Sequence, residues 1–183
     1  MRSQFQLNYK PESRMKKLIS TDVTEPNIAR ILDLLSDTSR KLENLLSRFC
    51  DEQFGKPLGT GERSVTENLA HILHCEALSS EFIYLALMKN DVTFNDIHPE
   101  REYGKLLRYD LFDFKSLLDY FKFRRTVLLR VLNSLKFEQW SRSISEEGKK
   151  RRESVYWRAR TIALHELEHI NDIERKLAIS EEK

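Results

Sequence analysis

The sequence predicts an all-α protein, a four-helix bundle preceded by a flexible N-terminal arm. Its 183 residues include only 5 Gly and 4 Pro, too few for a turn-rich β architecture. Apolar residues recur at steps of three and four through four long stretches, the period of a helix with one buried face. No stretch shows strand-like alternation of useful length, and no segment repeats at a fixed period. A chain of this length makes one domain able to bury roughly 70% of its unfolded surface without disulfides. The arm is placed at residues 1–23 and the bundle at residues 24–183.

The arm is polar and basic without periodicity. The first helix is expected from Thr24-Glu25-Pro26, because a proline in a first turn gives up an N–H that has no helical partner there. Ile28, Ile31, Leu32, Leu35, Leu42, Leu45, Leu46 and Phe49 form its stripe. Gly55, Pro57, Gly59 and Gly61 then make a loop. Ser64-Val65-Thr66-Glu67 is a capping box that starts helix two, which runs to Met88 or Lys89 and is apolar around most of its circumference. Residues 90–104, with Pro99, read as a long connection, a length that is often functional in a compact domain. Helix three is expected over 113–135 and helix four over 154–179, separated by a polar stretch at 141–153. Inward stripes on four long helices make a four-helix bundle.

Composition excludes several classes. The 31 Lys and Arg stand against 29 Asp and Glu, a net charge of +2, which argues against a dedicated nucleic-acid surface. The cluster Lys149-Lys150-Arg151-Arg152 follows Glu146-Glu147 and reads as a solvated loop. Cys50 and Cys75 lack metal-type or redox spacing and are read as reduced, which suits a cytoplasmic protein. The first twenty residues lack the apolar core of a signal peptide, and no apolar run reaches the ~18 residues of a membrane span.

The chemistry resides in the histidines, at positions 71, 74, 98, 165 and 169. His165 and His169 are four apart on helix four and project from one face, where two imidazoles can share one ion. His71 lines up with Cys75, Leu78 and Phe82 and points into the bundle, where a buried imidazole needs a hydrogen-bond partner or a metal. Ligands converging from different helices are how bundles build metal sites. His74, about 60° away, is a flanking candidate, and His98 carries little signal. His165-Glu166-Leu167-Glu168-His169 also matches the H-E-x-x-H pattern of zinc peptidases. That frame is rejected: little chain follows His169 to supply a third ligand, no substrate-binding strand is evident, and Glu166 falls towards the apolar stripe, away from the histidine pair.

Ser64-Val65-Thr66-Glu67-Asn68-Leu69-Ala70-His71 resembles the helix-two signature of the DinB-like metal-binding bundles. The stretch from His165 to Ile173 resembles their C-terminal helix signature. The resemblance spans about residues 24 to 179 and implies an up-down-down-up bundle, often dimeric, with one metal held by His71, His165 and His169. Two positions depart from the pattern: Arg63 stands where the family often has Trp, and Asp172 where it often has Gln. Asp172 is therefore expected to orient an imidazole or accept a proton. Characterised members include thiol-dependent transferases and isomerases.

Three protein ligands leave an open position, as catalytic sites do. Imidazoles suit Zn, Ni, Fe or Cu, with Zn or Ni favoured, and the ion lowers the pKa of a bound water or thiol. The expected function is a divalent-metal-dependent transferase or hydrolase that activates a low-molecular-weight thiol or water. The expected protein is a cytoplasmic homodimer without nucleic-acid or membrane partners. A non-catalytic bundle with a structural metal is the alternative, and a stress-response protein acting through dimerisation alone the weaker third. No catalytic side chain is assigned; Arg63, Trp157 and the loop around His98 are expected to line an approach to the metal.

Overall fold

The computed structural model describes residues 18–49 and 51–181. Helix α1 spans Glu25–Arg48, capped by Thr24, whose side chain accepts from the Asn27 N–H at 3.3 Å. A one-turn helix α2, Asp51–Phe54, precedes the glycine-containing loop. Helix α3, Val65–Met88, starts at the capping box with both arms closed: Glu67 N–H donates to Ser64 Oγ (3.1 Å), and Ser64 N–H to Glu67 Oε2 (2.7 Å). It is the second of the four long helices and is buried over most of its surface, as its apolar circumference requires.

The long connection is structured. Strand β1 (Val92–Phe94), helix α4 (Glu100–Leu107) and a 3-10 turn (Tyr109–Leu111) precede helix α5, Phe114–Asn133, which Asp113 caps through the Ser116 N–H at 2.8 Å. A 3-10 turn (Phe137–Ser141) and strands β2 (Ser143–Glu146) and β3 (Arg152–Ser154) lead into helix α6, Val155–Glu181. The three strands, of three or four residues each, are too short to show an alternation in sequence, and they add to the helical bundle without replacing any part of it. They make one small sheet in the order β1-β2-β3, with β1 parallel and β3 antiparallel to β2. The basic cluster lies on the exposed β2–β3 turn and strand β3, as expected.

The four long helices pack with α1 against α5 and α6, and α3 against the same two, so α1 and α3 are diagonal. Two apolar clusters fix their directions. One joins Ile31 and Leu35 of α1 to Ile83 of α3, Leu128 of α5 and Ala159 of α6. The other joins Leu42 and Leu45 to Leu69, Phe121 and Ile170. Each end of the bundle therefore gathers the starts of α1 and α6 with the finishes of α3 and α5, or the reverse. This is the up-down-down-up arrangement.

Residues 18–23, the last part of the expected arm, pack onto the bundle. Ile19 is buried, its carbonyl accepts from Arg160 Nε (2.9 Å), and the Ser20 carbonyl accepts from the Tyr156 hydroxyl (2.7 Å). The rest of the arm, residues 1–17, and Cys50 lie outside the described residues. Among those described, no helix is long and apolar enough to cross a membrane.

Candidate metal centre

Between the two apolar clusters, α3 and α6 bring three histidines together. His71 Nε2 lies 3.2 Å from His165 Nε2, which lies 3.1 Å from His169 Nε2. The His71 and His169 ring centroids are 4.8 Å apart. Because α3 and α6 are antiparallel neighbours, the capping box at Ser64 sets which turn of α3 faces the pair one turn apart on α6. The three expected ligands are thus convergent.

Hydrogen bonding on the outer nitrogens decides what the inner ones offer. The Asn68 amide nitrogen donates to the Ser64 carbonyl (2.9 Å), which turns its Oδ1 towards His169 Nδ1 at 3.2 Å. His169 therefore carries its proton on Nδ1 and leaves Nε2 as a lone pair. His71 Nδ1 faces His74 Nε2 at 3.2 Å, so His74, expected on the flank, is the neighbour that supports His71.

Burial holds all three imidazoles below the ordinary histidine range. His71 is pushed down to about 3, by burial first and then by His165 and Arg63. His165 is pushed down to about 4 by burial and by His169. His169 is lowered by burial and by Arg63. Neutral imidazoles with lone pairs facing one another repel unless a cation lies between them. Two nitrogens on one ion at 2.0–2.1 Å in near-tetrahedral geometry lie roughly 3.3 Å apart, so the spacing fits a metal.

Cys75 Sγ lies 3.9 Å from His71 Nδ1, which makes His71, His74 and Cys75 a second convergent group. Burial pushes the thiol up to about 12. The sulfur stands 3.9 Å off, whereas His165 Nε2 has its two neighbours at 3.1 and 3.2 Å, so this second group is the more loosely gathered.

Asp172 accepts from Arg175 and from Lys176 (2.6 Å), its charge also acts on His169, and the hydrogen bond on the His169 ring is made by Asn68. Glu166 is fully buried and pairs with Arg125, so it does not face the histidines, in line with the rejected peptidase frame. His98 has a larger role than its loop position suggested. It bonds Glu153 (2.9 Å) and Glu100 (3.2 Å), pinning the segment before α4 against β3.

Two cavities reach the histidines. One of about 680 Å³ is lined by Arg63, His71, His74, His98 and Arg101, among others. The second, about 490 Å³, is lined by Trp157, Arg160, Leu164 and His165. Arg63, His98 and Trp157 thus sit along approaches to the centre, as expected. Asn68 and the Arg125–Glu166 pair were not anticipated. Asn68 stands one helical turn before His71, a spacing that would have placed it on the same face.

The sequence model of the DinB superfamily matches residues 20–173. Among solved structures the chain resembles YfiT from Bacillus subtilis, described as a probable metal-dependent hydrolase with an unusual four-helix bundle topology. That likeness has a TM-score of 0.73 at 17% identity and covers 92% of this chain and 91% of the other. No curated protein matches the chain significantly.

Proposed function

The chain belongs to the DinB superfamily, and from that premise we propose that it holds one divalent metal ion on His71, His165 and His169 as a transferase or hydrolase. The observation that carries the reading is the convergence of three histidine Nε2 atoms beside a cavity. The ion would lower the pKa of a thiol or water bound at its open position. Zn or Ni suits the three imidazoles, and Fe or Cu is compatible with them. Asn68 holds the His169 ring in the tautomer that offers Nε2, and His74 stands at the outer nitrogen of His71. Arg63 contributes positive charge close to the centre, which stabilises a bound thiolate or hydroxide against protonation. The cavity supports an enzymatic role over a closed structural site, because it leads a small molecule to His71.

The same reading takes a low-molecular-weight thiol as co-substrate and a cytoplasmic homodimer as the working form. The exposed apolar stripe of Tyr120, Phe123 and Val127 on α5 supports the homodimer. Near-balanced charge supports the absence of a nucleic-acid partner. Elemental analysis of tag-free protein tests the centre: wild type is expected to carry close to one metal per chain and His71→Ala almost none. Wild-type protein that stays metal-free after soaking would overturn it.

A further inference from the structure

The larger cavity holds positive charge that its own carboxylates leave unused. Arg63 and Arg101 line it, both exposed, and neither guanidinium has a hydrogen-bond or ion-pair partner among the described residues. The acidic groups around them are engaged elsewhere. Glu67 accepts from the Ser64 N–H (2.7 Å), Glu100 faces His98 (3.2 Å), and Asp110 is held by Arg108 (3.0 Å). Lys105 is taken by Glu102 (2.7 Å). Arg63 is also close enough to the histidines to act on His71, His74, His165 and His169 through its field.

An unpaired guanidinium is unremarkable on a convex surface, where water solvates it fully. At a concave site with apolar walls the same charge is focused, and the fork of N–H donors matches a carboxylate or phosphate with two parallel bonds. The second cavity differs: its cation, Arg160, has its Nε bound to the Ile19 carbonyl (2.9 Å), and Glu168, Trp157 and Leu164 line it beside His165. Charge-based selection therefore belongs to the His71 side.

We propose that the cavity beside His71 binds the anionic end of the substrate or co-substrate, a small molecule carrying carboxylate or phosphate groups, and that Arg63 and Arg101 select it. The proposal rests on the reading that the three histidines hold a metal, since the bound anion then points the reactive end of the molecule at the ion. Arg63 and Arg101 are positioning and specificity residues; the chemistry occurs at the histidine centre.

The test is calorimetric titration of zinc-loaded protein with glutathione and with glutathione diethyl ester, which keeps the thiol and masks both carboxylates. Metal content is measured on the same sample. Wild type is expected to bind glutathione about tenfold or more tightly than the ester, the scale of a charge-assisted bidentate contact. In the double variant Arg63→Ala/Arg101→Ala that preference is expected to fall to within about threefold, and in Arg63→Lys/Arg101→Lys to persist in large part. Both residues are exposed and unpaired, so an unchanged melting temperature is expected to show that the variants fold. Equal binding of acid and ester, no binding of glutathione at millimolar concentration, or a preference that survives the double alanine change would each overturn the proposal. A protein without metal that still prefers glutathione through these arginines would sink the metal reading alone.

Discussion

A histidine ligand is only as good as the tautomer it is held in, and here an amide does the holding. Asn68 is bound by its nitrogen to the Ser64 carbonyl, which leaves its oxygen no choice but to face His169. Asn68→Ala removes the acceptor and frees the ring to rotate or to move its proton to Nε2. The expected result is metal affinity about 10–100-fold weaker, measured by competition with a chelating dye, with the metal-to-protein ratio at saturation unchanged. Affinity equal to wild type would show that packing alone orients the ring. The histidine trio was legible because i, i+4 spacing and alignment with an apolar stripe are local properties. Asn68 was not, since an asparagine on a helix acquires meaning only through a partner on another helix. The surroundings of Asp172 were legible only in part: Arg175 and Lys176, three and four residues on, compete for its carboxylate on the same helical face.

Among the elements, α3 bears most on the site, because it supplies His71, His74 and Asn68 from one continuous helix. Its capping box satisfies a first-turn N–H and the N–H of the cap itself, and fixes where the helical phase begins. Ser64→Ala is expected to cost about 1 kcal/mol in a urea-unfolding measurement. A negligible cost would mean that tertiary packing, and not the cap, sets the start of the helix. The starts of α1 and α3 were readable from this kind of punctuation, and the extents of α5 and α6 from their apolar stripes. The sheet was not, because strands of three or four residues are too short to show a period. The pairing of Val92 with Ile144 also joins segments far apart in the chain. Helix α4 was missed for a related reason: its eight residues make little more than two turns, too short for a stripe to stand out, and none of them is buried. Its Gly104 matters for a different reason. A Cβ there would sit 2.9 Å from the His74 ring, so only glycine lets α4 close over that side of the centre.

Across the whole molecule, a polar belt separates the two apolar clusters. Arg125 and Glu166 form a buried pair between α5 and α6, with Arg125 Nη1 also on the Leu35 carbonyl of α1 at 3.3 Å. Arg124 ties α5 to Glu76 of α3 at 2.8 Å and to Ser80 at 2.6 Å. Charges at this depth lose their hydration, and burial pushes the Glu166 carboxyl above the usual carboxylate range while Arg125 works against that shift. Arg125 Nε lacks a hydrogen-bond partner among the described residues, so the pair is not fully compensated. Removing one partner strands the other: Glu166→Leu is expected to destabilise by about 3–5 kcal/mol in chemical denaturation, and Arg125→Met likewise. The double change Arg125→Met/Glu166→Leu removes both charges and fills the space with apolar volume. It is expected to recover most of that loss, giving a large favourable coupling in the double-mutant cycle. A double variant as unstable as the sum of the singles would show that the belt stabilises the fold outright and does not chiefly offset its own desolvation. The same variant separates two readings of the H-E-x-x-H string. A general base at Glu166 predicts full metal content without turnover, whereas a structural ion pair predicts that metal content and any turnover survive once folding is restored. Glu166 is fully buried against Arg125 and shielded from both cavities, which favours the second outcome.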